Sequence, residues 1–154
     1  MAVNPGGYYP PAGFHFKVEF AGIGNDNDTR FQSVSGLTVE YDTETFKEGG
    51  ENRFEHKLPV RTKYADISLK RGFLKNSEVI KWVKGILHDR DFINHKPVTL
   101  NVMLLNEEHN ILMQWEIIDA WPRKWSISDF NAQENSVVVE TLDLACKYFN
   151  VKNG

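Results

Sequence analysis

Strict alternation of apolar and polar residues recurs along this chain, and it constrains the fold more than any other feature. The stretch "FHFKVEF" puts Phe14, Phe16, Val18 and Phe20 on one side and His15, Lys17 and Glu19 on the other. "ADISLKRGF" repeats the pattern, with Ala65, Ile67 and Leu69 inward and Asp66, Ser68 and Lys70 outward. Period-two alternation is the signature of a strand with one buried face. "PVTLNVMLL" and "ILMQWEIIDAW" flank "NEEHN", a connection of hairpin length; "RKWSI" follows Pro122, and "SVVVETLDLACKYF" reads as one long final strand. In "FQSVSGLTVEYDTE" the phase changes, because Val34 lies on one parity and Leu37, Val39 and Tyr41 on the other. One extra residue at Ser35–Gly36 restores the register, which predicts a β-bulge there.

One stretch has helical spacing instead. "NSEVIKWVKGILHD" brings Val79, Ile80, Val83, Ile86 and Leu87 to a single face. Asn76 or Ser77 is placed to cap it, Glu78 suits its positive end, and Gly85 weakens it slightly. A helix with one apolar stripe must pack on something, and a sheet is what the chain offers. The expected fold class is therefore mainly β: an antiparallel β-sandwich or half-barrel of about seven strands with one packed α-helix.

Composition fits one domain over residues 1–154, with 41% hydrophobic residues for a core and a formal net charge of −3. That charge balance argues against a nucleic-acid binder, whose footprint is a basic stripe. The opening "MAVNPGGYYPPAGF" lacks a basic segment followed by an apolar run, so no signal peptide is expected, and residues 1–13 read as a Pro/Gly-rich arm. No apolar stretch approaches the ~20 residues of a membrane helix. The single Cys146 excludes an internal disulfide and a cysteine-built zinc site. Synthesis and folding in the cytoplasm suit this pattern, and so does export as part of a larger particle.

Residues 42–62, containing "DTETFKEGGENRFEHKLPVR", neither alternate nor repeat helically. Structureless connections longer than roughly 12–15 residues are uncommon in compact domains and signal function or disorder. Ordering such a loop costs on the order of 1 kcal/mol per residue. Burying Phe46, Phe54 and Leu58 returns only about 1.5–3 kcal/mol each. Further hydrogen bonds or ion pairs to a neighbour are required, and the mixed charges of the segment supply them. The segment therefore reads as a subunit-to-subunit arm. The polar strand faces point the same way: a lone open sheet exposes edges that proteins usually cover, charge or close.

No catalytic constellation stands out. The cluster "HDRDFINH" offers His88, Asp89, Asp91 and His95, but not at zinc-site spacings, so a polar loop leaving the helix is the ordinary reading. No serine sits in a nucleophile elbow and no phosphate-cradling glycine pattern precedes a helix. Cys146 follows Leu142 and Leu144 on an alternating strand, where a small buried thiol is expected rather than a nucleophile. Neither enzyme activity, a cofactor nor a metal is expected. Trp121 and Trp125 in "AWPRKWSISDF" allow a different class, a β-sandwich carbohydrate-binding module stacking sugars on indoles.

Several segments in order carry a family resemblance: "YYPPAGFHFKVEFAG", "FQSVSGLTVEYD", "EGGENRFEHKLPVRTKYADISLKRGF" and "WEIIDAWPRKWSISDFNAQENSVVVETLDLA". With them the chain resembles the tail tube proteins of contractile phage tails and, more closely, the inner tube proteins of phage-tail-like contractile injection systems. The resemblance implies hexameric rings whose sheets join into one β-barrel, stacked as a hollow tube inside a contractile sheath. It implies sheath and baseplate or hub proteins as partners, with cargo effector or DNA in the lumen, and no stable membrane insertion by this chain. Phage tail or injection-system particle is the location it implies, and a baseplate-proximal tube initiator is the alternative within that class. It makes Glu48, Gly49, Gly50, Arg53, Lys57, Leu58, Pro59 and Arg61 inter-subunit or ring-stacking residues, beside the anchors Phe46 and Phe54. Trp121, Pro122, Lys124 and Trp125 are expected to serve packing or an interface. The sequence departs from the family pattern at Val60 and in the ending "LACKYFNVKNG".

Overall fold

The computed structural model describes residues 15–24, 31–46, 49–50, 56–133 and 137–153. Along the chain run β1 (His15–Phe20), β2 (Ser33–Ser35), β3 (Val39–Phe46), β4 (His56–Tyr64), β5 (Ile67–Gly72), α1 (Glu78–Leu87), β6 (Val98–Leu105), β7 (Ile111–Ile127), β8 (Val139–Ala145) and β9 (Tyr148–Asn153). Seven of the strands form one antiparallel sheet in the order β1-β6-β7-β8-β5-β2, with β9 also pairing to β7. Among the described residues its two ends, β1 and β2, do not pair with each other, so the sheet stays open in the single chain. The expected mainly β architecture with one helix is what the chain adopts, and β3 and β4 add a separate two-stranded sheet.

Strand β7 organises the sheet. Its first part pairs with β6 and β9, and its last part with β8. Between them Asp119 has φ 51° and the β7–β8 register shifts between Pro122 and Lys124. A proline cannot donate to the ladder and is tolerated at such irregularities. The break expected at Pro122 is therefore a bend inside one 17-residue strand. The expected single final strand breaks instead. Beside the bend the chain turns at Cys146–Lys147, Lys147 N–H donating to Ile118 O (3.0 Å), so that β8 and β9 pair with different parts of β7.

Alternation then sorts the side chains as expected. Phe20, Leu100, Ile117 and Phe149 lie in one cross-strand row, and Leu69 opposes Leu142 while Ile67 opposes Leu144. All eight are buried and join the helix residues Val79, Trp82, Val83 and Ile86 in one core. The helix begins at Ser77, whose Oγ accepts from Ile80 N–H at 3.2 Å. Its inward face differs from expectation at two places. Trp82 is buried and donates its indole N–H to Lys96 O (2.8 Å), whereas Leu87 is exposed in the last turn.

The bulge expected at Ser35–Gly36 is a corner between sheets. β2 pairs with β5, and after Gly36 the chain enters β3, which among the described residues pairs with β4 alone. Gly36 has φ 88°, and a Cβ there stands 1.9 Å from Asp66 O. Both the left-handed backbone and the contact exclude a side chain. Gly36→Ala is expected to lose at least ~2 kcal/mol of stability, from strain and backbone displacement. Urea unfolding of the two proteins measures it, and equal midpoints contradict the corner geometry.

No helix among the described residues is long and apolar enough to cross a membrane.

Candidate assembly surfaces

The segment expected to be an unstructured loop is a β-hairpin. Val39 opposes Tyr64, Glu40 opposes Lys63, Tyr41 opposes Thr62 and Asp42 opposes Arg61; a register shift then puts Thr43 opposite Pro59 and Phe46 opposite His56. Opposite charges thus face each other twice across the ladder, on one side of the ribbon. Such pairs favour the pairing by roughly 0.2–1 kcal/mol each. The other side near the root carries Val39, Tyr41 and Thr62. The shift leaves Val60 as the extra residue opposite Asp42–Thr43.

Residues 39–46 and 57–63 are all exposed. The hairpin includes large apolar groups: Tyr41 is 66% accessible, Leu58 51%, Val39 50% and Val60 49%. A two-stranded hairpin in water is marginal at best. Val39 and Tyr41 lie on one face of the ribbon and Phe46 and Leu58 on the other, so apolar groups are exposed on both faces. The root is tied to the body by Tyr64, whose ring meets Phe149 edge-on at 4.9 Å, and by Ala65 N–H donating to Thr38 O (3.2 Å).

Phe46, Lys57, Leu58, Pro59 and Arg61 lie on this hairpin, and Gly49 and Gly50 lie in the described part of its tip, Gly50 with φ 87°. Glu48, Arg53 and Phe54 lie outside the described residues.

The motif at 121–125 divides in two. Pro122 is fully buried and Trp125 packs on the core, whereas Trp121 (43% accessible) and Lys124 are exposed. Arg123, in the register shift, pairs with Asp66. The two indoles therefore do not make one stacking platform, which removes the geometric basis for sugar binding by this pair.

The polar strand faces expected from the alternation join into rows across the sheet, and one feature, an apolar groove, went unread in the sequence. Rows of small and charged residues cross the outer face of one half of the sheet: Ser33, Lys70, Thr141 and Ser126, then Ser35, Ser68, Asp143 and Lys124. On the other half Glu19, Asn101, Glu116 and Asn150 form a similar row, with Lys152 bonded to Glu116 at 2.9 Å. The Lys152 ammonium holds the Glu116 carboxyl below its ordinary pKa. At the open side, Phe16, Val34, Leu37, Leu104 and Trp115 line an apolar groove of about 340 Å³. Among the described residues the chain thus combines a polar sheet face with an open apolar groove and an exposed hairpin.

Of the histidine–aspartate cluster, Asp91 organises the turn after α1. Its carboxylate accepts from Asn94 Nδ2 (2.8 Å) and from the backbone N–H of Asn94 (3.1 Å) and Ile93 (3.3 Å). Those bonds, the Asn94 side chain foremost, hold its pKa below the ordinary carboxylate value. Cys146 is partly buried, and burial pushes its thiol up, away from the thiolate that a nucleophile needs.

The family model for the T4-like virus tail tube protein gp19 matches residues 12–150. The chain belongs to the tail tube protein family. Its fold is shared with a chain in the anti-feeding prophage baseplate: 25% identity, TM-score 0.78, with 99% of this chain and 98% of that one covered. A chain of the sheath–tube complex of an extracellular contractile injection system is 24% identical with TM-score 0.76, covering 95% of this chain and 93% of that one. Hcp1 from Flavobacterium johnsoniae shares the fold more remotely, at 16% identity and TM-score 0.51 over 90% of this chain and 95% of its own. No curated protein matches the chain in sequence. As a tail tube protein the chain is a structural component of a phage-tail-like particle.

Proposed function

We propose that this tail tube protein forms hexameric rings that stack into the hollow inner tube of a contractile injection machine, with a structural and not an enzymatic role. The observation that carries the reading is the hairpin β3–β4, exposed along its described length and bearing large apolar groups that are about half or more accessible. The groove and the hairpin are different surfaces of one chain. Contacts between different surfaces of identical copies are head-to-tail, and they generate rings or filaments rather than closed pairs. Open sheet ends at β1 and β2 suit ring closure, since joining edges removes unpaired backbone groups.

In this reading Phe46, Glu48, Gly49, Gly50, Arg53, Phe54, Lys57, Leu58, Pro59 and Arg61 are the arm that reaches adjacent subunits. Trp121 and Lys124, outward on β7, belong to an interface as well. A polar sheet face lines the channel, where cargo effector or DNA passes, and a sheath protein and a baseplate are the outer partners. Negative-stain electron microscopy of the concentrated protein, alone and with sheath and baseplate components, tests the reading. Six-fold rings or hollow tubes are expected. Monomers even with every partner present contradict it.

A further inference from the structure

Two imidazoles meet at one end of the sheet, and the assembly reading does not use them. His15 opens β1 and stands opposite Leu105, the last residue of β6. His109 lies in the turn from β6 to β7. Its Nδ1 is 2.7 Å from His15 Nε2, with ring centroids 4.6 Å apart and planes at 74°.

The turn holds His109 in place. Asn106 Oδ1 accepts from the backbone N–H of Glu108 and of Asn110, each at 2.9 Å. Asn106 N–H donates to Asn110 O, and His109 N–H donates to Asn106 O, both at 3.0 Å. His109 itself has φ 64°, a left-handed conformation that a side chain rarely adopts. Such strain persists only where the surroundings over-determine it, and it recurs at ligand sites.

We propose that His15 Nε2 and His109 Nδ1 form a two-imidazole site for a tetragonal divalent transition metal, copper(II) foremost. Imidazole nitrogens bind such metals at about 2.0–2.1 Å. Two of them in neighbouring positions of a tetragonal plane then lie about 2.8–3.0 Å apart, and at tetrahedral positions about 3.3–3.4 Å. The observed 2.7 Å is that of a hydrogen bond between the rings, so a metal that replaces the shared proton needs the nitrogens to part by only about 0.1–0.3 Å for a tetragonal site. Among the described residues no group of three His, Cys, Asp or Glu is arranged to hold a metal. Water therefore completes the coordination. That suits copper(II), the strongest binder of the divalent series at nitrogen sites, and not structural zinc, which takes four protein ligands.

Without metal the neutral pair shares one proton between the facing nitrogens. Binding moves that proton to the far side of its own ring, so His15 carries its hydrogen on Nδ1 and His109 on Nε2. No proton leaves the neutral pair, and no oxidation is involved. Glu107 and Glu108 lie on the same exposed turn. The bound metal staples β1, a strand with one partner among the described residues, to the turn beside it.

The test titrates copper(II) into the full untagged chain and reads calorimetry and electron paramagnetic resonance. Wild type is expected to bind one tight equivalent with hyperfine splitting from two nitrogens, and its melting temperature is expected to rise. His15→Ala and His109→Gly should each weaken that equivalent at least tenfold, about 1.4 kcal/mol. Glycine keeps the turn, because φ 64° suits it. A His88→Ala/His95→Ala control should bind as wild type does. Unchanged tight binding in either site variant, or its loss in the control, overturns the proposal. Tube formation is not measured, so this outcome leaves the assembly reading untouched.

Discussion

Arg61→Glu is expected to abolish tubes while leaving the body of the subunit folded. Arg61 stands opposite Asp42 on an exposed hairpin that, among the described residues, pairs with no other strand. Opposite charges facing each other across an exposed ladder contribute roughly 0.2–1 kcal/mol, so the urea midpoint of the monomer should barely move. Across an interface a misplaced like charge costs several kcal/mol, and in a ring that cost recurs at every subunit. The single substitution also sets a second carboxylate against Asp42, which loosens the hairpin itself. The paired exchange Asp42→Arg with Arg61→Asp separates the two effects. It restores opposite charges across the ladder but reverses what the arm presents to a neighbour. Sedimentation velocity and negative-stain imaging should find no tubes for either protein. Tubes from the exchange variant assign the Arg61 effect to hairpin folding, and tubes from Arg61→Glu remove the arm role. The same reversal at Arg53 should match it.

How much of this was legible depends on whether burial imposed a period. In β1, β5 and β8 one face packs on the core, so Val18, Ile67, Leu69, Leu142 and Leu144 announce themselves by alternation. On the hairpin both faces are wet, and hydrophobic periodicity has nothing to report. The signal available there was electrostatic: Glu40 and Asp42 on one limb face Lys63 and Arg61 on the other. The corners at Gly36, Asp119 and Cys146–Lys147 arise from how distant strands meet, so no local pattern marks them apart from the glycine. The tryptophan motif was legible as important yet not as divided. The phase slip in β7 between Pro122 and Lys124 decides which members face inward.

One inward position was hidden because its residue is charged. Arg71 continues the inward set after Ile67 and Leu69, and it is 3% accessible beside Glu140 at 2%. Its Nε donates to Glu140 Oε2 at 2.9 Å, its Nη2 to Ser77 Oγ at 2.7 Å, and its guanidinium lies 5.0 Å from the Phe31 ring centroid. The pair joins β5 to β8, and through Ser77 it holds the residue that caps α1. Removing one partner leaves a buried charge uncompensated, so Glu140→Ala or Arg71→Ala should each cost about 3–5 kcal/mol. In a chain of this size that lowers the melting temperature by roughly 6–20 °C. Replacing both, Arg71→Met with Glu140→Leu, removes the two desolvation costs together and should recover most of the loss. The single variants should also free the start of α1, which faster amide exchange at Ile80 and Lys81 would report, since the Ser77 cap loses its anchor. If the double variant is no more stable than the singles, the pair does more than satisfy its own charges, and the Ser77 link becomes the part to dissect.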